Sequence, residues 1–486
     1  MRPDIPGALL RAVREGVVLS AEWPVVGSGY RALYGASVSR AAHALRAESG
    51  WQVWLRGSAR TRVRPGLSDI DLVIVPNARD TVAEEQVVCR RIGAVLTRLN
   101  RPLPLFRDVQ VLFPDQLSAL AAVGAAIPLY LHRDSRCLAG ASSLPLLTSS
   151  PWAARELLVR NALYWTHRAG RHLATDRGRV GAQLTRHALA KAEGWVTLLE
   201  GWGGEVLADM TPPPRDSRSS SSRLARFVRV LGRLDDMMRP HGTSLSTKAA
   251  TENEIDPPGP VAAFVNAALS MSSVQSVLLS RDGTTDVDRR TYVVIDPRAA
   301  SAEVDLQRLF ARQGATVANA WSGRTYGSPW VCTRKQLDHS VCMPMSVFEP
   351  LVRGSEARCL GQPLGAPFAT RRQVARSAVE KLVTLVSRAR EPHPHGPGLR
   401  DGAMLADGLD AFAPDCERWL GVTASESARP ARASPGTVAG EEWDGEVRAL
   451  RETERSMLPE LVTLATTDEP LDEGRGTAKE EDGCPR

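Results

Sequence analysis

Three short stretches of this 486-residue chain recur further along it, in the same order and at nearly one displacement. "VIVPNAR" from Val73 is answered by "VIDPRAA" from Val294, "DQLSAL" from Asp115 by "KQLDHS" from Lys335, and "PLYLHRDSRCLAG" from Pro128 by "PLVRGSEARCLGQ" from Pro350. The displacement is 221 from Pro76 to Pro297, 220 from Gln116 to Gln336 and 222 from Arg136 to Arg358. Such self-similarity points to two copies of one structural unit, so the chain is expected to fold as a pair of related domains.

Within the first copy, "YRALYGASVSRAAHALRA" has helical spacing and "WQVWL" reads as a strand. After an arginine-rich loop come the β-branched "DLVIV", the helical "VAEEQVVCRRIGAVLTRL" and a further strand, "DVQVLF". Helices alternate with strands, so the fold class expected is α/β (α+β), built on a mixed sheet. The stretches "WAARELLVRNALYWTHRAGRHLA" and "GAQLTRHALAKAEGWVTLLEGW" read as long amphipathic helices, a helical subdomain packed behind that sheet. Stretches rich in Pro, Ser and Thr mark linkers. The boundaries that follow are a first α/β domain over 1–149, a helical subdomain over 150–237, a linker over 238–260, a second and degenerate α/β domain over 261–390, and a largely disordered acidic tail over 391–486.

A hydrophobic fraction of 43% with 24% charged residues is globular composition. No run approaches the roughly 18 apolar residues that span a bilayer, and the N-terminal stretch lacks the apolar core of a signal peptide, so a cytoplasmic protein without membrane partners is expected. The seven cysteines form no Cys-x-x-Cys pair, which argues against a zinc ribbon or a disulfide scaffold and for buried, reduced thiols. Residues 435–486 hold fourteen Asp and Glu against six Lys and Arg, a net of 6 − 14 = −8, so the rest of the chain carries +6 + 8 = +14. A basic body suits an anionic ligand such as a nucleotide or a nucleic acid.

Chemistry concentrates in "WLRGSARTRVRPGLSDIDLVIV", residues 54–75. Asp69 and Asp71 are two apart at the start of a strand, where alternation turns both side chains to one face. Paired carboxylates there could share divalent ions, since Mg²⁺ takes oxygen ligands. Gly57 and Ser58 follow the preceding strand, where a turn into a helix would expose backbone N–H groups to phosphate. An isolated Asp-x-Asp is also what a solvated strand edge produces. The whole pattern of apolar strand, Gly-Ser, nine residues, and Ser-Asp-Ile-Asp-Leu resembles the signature of the DNA polymerase beta-like nucleotidyltransferases.

That resemblance implies a metal-dependent nucleotidyltransferase, in which Asp69, Asp71 and Asp108, in "FRDVQVLF", hold Mg²⁺ or Mn²⁺ and carry catalysis. Gly57, Ser58, Arg56 and Ser68 would bind the nucleoside triphosphate, ATP being the expected one. Its monophosphate would pass to an acceptor hydroxyl of a small molecule, protein or RNA, and a helical domain would close the acceptor cleft. Sliding the first copy along by the displacement of Pro76 to Pro297 sets Arg290 against Asp69 and Tyr292 against Asp71. The local displacement of Gln116 to Gln336 sets Ser328 against Asp108, so the second copy is expected to be silent. Asp286 and Asp288 are the nearby carboxylates that a displaced site would use instead. Two other readings compete: a non-catalytic nucleotide- or RNA-binding regulator, and a ribonuclease resembling the HEPN family that uses Arg160 and His167 of the helical subdomain. Trp51, Trp54, Trp152, Trp165, Trp195 and Trp202 are expected in cores and domain interfaces.

Overall fold

The computed structural model describes residues 7–46, 50–57, 63, 65–66, 70–100, 105–125, 127–128, 131, 135–140, 151–175, 178–202, 222–238, 259–280, 290–320, 330–340, 357–361, 371–390, 416–417, 420–423 and 440–467. The first half runs α1 (Gly7–Ser20), α2 (Pro24–Arg46), β1 (Gln52–Arg56), β2 (Ile70–Val75), α3 (Val82–Asn100), β3 (Phe106–Val111), α4 (Pro114–Ala122), β4 (Ser135–Ala139), α5 (Pro151–Thr175), α6 (Gly178–Glu200) and α7 (Arg223–Met237). The second runs α8 (Gly259–Leu269), β5 (Val274–Ser280), β6 (Arg290–Ile295), α9 (Ala302–Ala320), β7 (Trp330–Cys332), α10 (Arg334–Ser340), β8 (Ala357–Gly361), α11 (Arg371–Ala389) and α12 (Gly440–Thr466).

The fold is mixed α and β, with one four-stranded sheet in each half. Strand order is β3-β2-β1-β4 in the first sheet and β7-β6-β5-β8 in the second. In both, the central pair and the pair with the fourth strand are antiparallel, while the third strand joins in parallel. Local details repeat as well. The fourth strand ends on a left-handed glycine in each half, Gly140 at φ 86° and Gly361 at φ 99°. A Cβ on Gly140 would stand 2.4 Å from the Trp51 carbonyl oxygen, and one on Gly361 2.6 Å from that of Gln275, so only glycine lets the chain pass so close to the first strand. At the helix after the third strand, Gln116 Oε1 accepts from the Phe113 N–H at 2.9 Å and Gln336 Oε1 from the Thr333 N–H at 3.1 Å. These bonds satisfy backbone donors at the helix start, which explains why "QL" recurs in the sequence.

Alternation along the strands gives the first sheet two apolar faces. Val53, Leu55, Ile70, Leu72, Ile74, Val109 and Val111 pack under α2 and α3, with Tyr34, Leu45, Ile92 and Leu96. On the other face Trp54, Val73, Val75 and Leu112 meet α4, α11 and α12. The second sheet packs Val277, Val293, Ile295 and Val331 with Phe264 and Val265 of α8, Leu306 and Leu309 of α9, and Phe227 and Leu231 of α7. Of the tryptophans expected inside, Trp51, Trp54 and Trp195 are buried.

The helices that end each half cross over. The sequence reading sets residues 150–237 behind the first sheet, but α5 and α7 lie against the second, α5 on β7 and α7 on α9 and α10. Conversely α11, assigned to the second domain, packs with α12 on α4 and β3 of the first. An amphipathic stripe shows that a helix must be covered and leaves open by which sheet, so the exchange has no signature in the pattern of either helix.

The expectation of a largely disordered tail fails over α12. Val447, Leu450, Met457, Leu458, Leu461 and Ala465 recur at helical spacing and are buried in the first sheet's core. Between them sit two charged residues with no exposed surface, Arg451 and Glu454. Arg451 donates from Nε and Nη2 to the Glu85 carboxylate of α3, both at 3.0 Å, from Nη1 to Glu454 at 2.7 Å, and from Nη2 to Asp115 at 2.5 Å. Gln116 Nε2 donates to both Glu454 oxygens, at 2.8 and 2.9 Å, while Arg390 and Arg455 each donate to Glu85, at 2.5 and 2.8 Å. Charges removed from water persist only when paired and hydrogen-bonded in this way.

Candidate active site

Arg56 ends β1 and stands opposite Asp71 in the antiparallel register. Both follow the alternation of Trp54 and Val73, which puts them on the face that α11 and α12 cover, beyond the apolar part of that core. Arg56 Nη1 donates to Gln110 Oε1 of β3 at 3.0 Å. Gln110 belongs to no motif in the sequence, although it alternates with Val109 and Val111 in "FRDVQVLF" and so shows its polar face there.

Gly57 follows with φ 69°, a conformation that L side chains rarely adopt. A Cβ on it would stand 2.6 Å from Asp71 Oδ2. The carboxylate is therefore directed at the turn that leaves β1, and glycine there is a steric requirement.

Asp108 lies on β3 beside Asp71. The parallel register pairs Ile70 with Phe106 and Leu72 with Val109, and the irregularity between them sets residues 107–108 against Asp71. The backbone thus brings two of the three expected carboxylate positions to neighbouring strands. The Asp108 side chain, Asp69, Ser58, Ser68 and the arginines at 60, 62 and 64 lie outside the described residues, as does the helix expected after Gly57-Ser58. Among the described residues, no group of three or more His, Cys, Asp and Glu side chains stands where it could hold a metal ion.

In the second half, Tyr292 is fully buried, pairing with Leu278 on β5 and Trp330 on β7. Its ring and that of Trp330 are 6.5 Å apart, tilted by 50°. Ser328, Asp286 and Asp288 lie outside the described residues.

Arg160 and His167, the pair weighed for a ribonuclease, are drawn into the contact between halves. Arg160 Nη1 meets Glu380 Oε2 of α11 at 2.6 Å, and the His167 ring stacks on Trp330. Cys332 and Cys416 are buried and Cys89 and Cys137 half-buried, each as a free thiol. Burial pushes the Cys89 thiol up to about 11, against nucleophilic use. No described helix is long and apolar enough to cross a membrane.

No family model, no curated protein and no solved structure matches the chain.

Proposed function

We propose that the first half is a metal-dependent nucleotidyltransferase, moving a nucleoside monophosphate from a nucleoside triphosphate to an acceptor hydroxyl. One observation carries the reading: the left-handed Gly57 at the end of β1 packs against the carboxylate of Asp71, and Asp108 runs alongside on the parallel neighbour β3. A Gly-Ser turn, a strand carrying Asp-x-Asp and a third acidic strand beside it are the parts this chemistry needs in one place. The second sheet supports the reading by contrast, because Leu278 and Tyr292, which pair there as Arg56 and Asp71 do in the first, are both buried.

The donor set Asp69, Asp71 and Asp108 offers oxygen only, which suits Mg²⁺ or Mn²⁺, and glycine at position 57 sets no Cβ against Asp71 Oδ2. A divalent pair bound there would stabilise the charge of an in-line displacement. In that reaction the acceptor oxygen bonds to the α-phosphorus as the bond to the bridging oxygen breaks, and pyrophosphate leaves. Asp108 takes the hydroxyl proton, and Gly57 with Ser58 holds triphosphate oxygens through backbone N–H groups and the serine hydroxyl. Arg56 is held in place by Gln110 and adds its positive charge to the nucleotide site.

Labelled-triphosphate transfer over a panel of aminoglycosides, proteins and RNAs tests the proposal. Magnesium-dependent labelling of an acceptor, abolished in Asp69→Asn and Asp71→Asn, is expected. Label transfer by those variants at the wild-type rate would remove the carboxylates from the site.

A further inference from the structure

The two halves differ sharply on one face. In the second sheet, the His167 ring of α5 meets the Trp330 ring of β7, and Tyr292 stands beside them. Two aromatic rings thus separate helix from sheet. In the first sheet the corresponding face carries Arg56, Asp71 and Gln110, and the helix over it is α11.

Helix α11 is the counterpart of α5 at the displacement that relates Gln116 to Gln336: the two begin at Pro151 and Arg371. The buried positions Leu158, Val159, Ala162 and Thr166 recur as Ala378, Val379, Leu382 and Val386. The counterpart of His167 is therefore Ser387. Its side chain is 1% exposed, and its Oγ has no hydrogen-bond partner among the described residues. One turn on, the Arg390 guanidinium lies 5.0 Å from the Phe113 ring centroid, which sets this end of α11 beside the start of α4. Arg390 is also buried, with Nε and Nη1 unpartnered among the described residues. Buried donors without partners are costly to a fold, and such groups in a native protein call for a ligand or a water.

We propose that the first half receives the base of its nucleoside triphosphate where the second half holds its own ring pair. The base stacks on the flat, hydrogen-bonded surface of Arg56 and Gln110, and Ser387 bonds to the base edge. Guanidinium planes stack well on bases, and a hydroxyl can donate or accept. Ser387 is then a positioning residue supplied by the C-terminal half, so the site is incomplete without α11. This rests on the nucleotidyltransferase reading above.

The test is calorimetric titration of the full chain with ATP, GTP, CTP and UTP in magnesium buffer. Ser387→Ala is expected to raise the Kd of the preferred triphosphate about five- to tenfold while the melting temperature holds or rises, since an unpartnered hydroxyl is removed. Gln110→Trp with Ser387→His, which copies the second half, is expected to stay folded and lose binding. Wild-type affinity in both variants overturns the proposal and leaves the transferase reading standing on its Asp71 dependence. A fall in melting temperature with Ser387→Ala that accounts for the weaker binding makes the residue structural and also overturns it. If wild type binds none of the four triphosphates, both readings fall.

Discussion

Arg160 and Glu380 stand apart in sequence by the displacement of the repeat itself, the one that relates Gln116 to Gln336, and meet through a salt bridge of 2.6 Å. Each is the counterpart of the other in the two halves. Residues that touch their own equivalents lie near an axis that relates the two copies, as in an isologous contact.

The pair is half-buried, with side-chain exposures of 23% and 14%, so solvent weakens but does not cancel its worth. Arg160→Ala is expected to lower stability by about 1–2 kcal/mol in urea unfolding, and the double reversal Arg160→Glu with Glu380→Arg to recover much of the loss. A double-mutant cycle without coupling would contradict the axis.

Arg451 is held entirely inside the protein by Glu85, Glu454 and Asp115. Replacing it with methionine fills the volume but leaves Glu85 and Glu454 buried with less compensation. A loss of about 3–5 kcal/mol is expected, since one partner of a buried ionic group is removed. An unchanged denaturation midpoint would mean that α12 does not pack as described.

That helix also shows how far a sequence can be read here. The repeat and the alternation of strands and helices are legible because each rests on local spacing, as in the recurrence of Gln116 at Gln336. The apolar stripe of α12, from Val447 to Ala465, is at helical spacing too. It is hidden by the acidic surroundings, by Pro459 inside the helix and by the charges of Arg451 and Glu454, whose burial depends on Glu85 and Gln116 at the far end of the chain. The motif residues Gly57 and Asp71 could be picked out one strand at a time, whereas the role of Gln110 depends on Arg56 across the sheet. Contacts of that range leave no periodic trace.

Acid should reach the protein through Glu85. Burial alone would raise its pKa, but the guanidiniums of Arg451 and Arg390 outweigh burial and hold it below the ordinary carboxylate range. A depressed folded-state pKa contributes stability that is present at neutral pH and lost as pH falls through that range towards the folded value. Glu454 is pushed up by its burial and acts with the opposite sign. Comparing wild type with Glu85→Gln isolates the first effect: the variant should be less stable at neutral pH, with the gap in urea midpoints closing as pH falls below the ordinary carboxylate range. A gap that is constant with pH would contradict this.

Gly57→Ala imposes a left-handed conformation on a residue with a Cβ and directs that atom at Asp71 Oδ2. The expected cost to folding is about 1–3 kcal/mol. Transfer activity should fall more than stability explains, by about tenfold or more at temperatures where the variant is folded, because the carboxylate is displaced. Full activity in a folded variant would separate the glycine from the site.

The central claim is that Asp71 serves phosphoryl transfer. Pyrophosphate release from a nucleoside triphosphate in magnesium, with the acceptor the panel identifies, compares wild type with Asp71→Asn at matched melting temperatures. Asp71→Asn is expected to lower release by about 10³-fold or more. Release from Asp71→Asn at the wild-type rate would contradict the account.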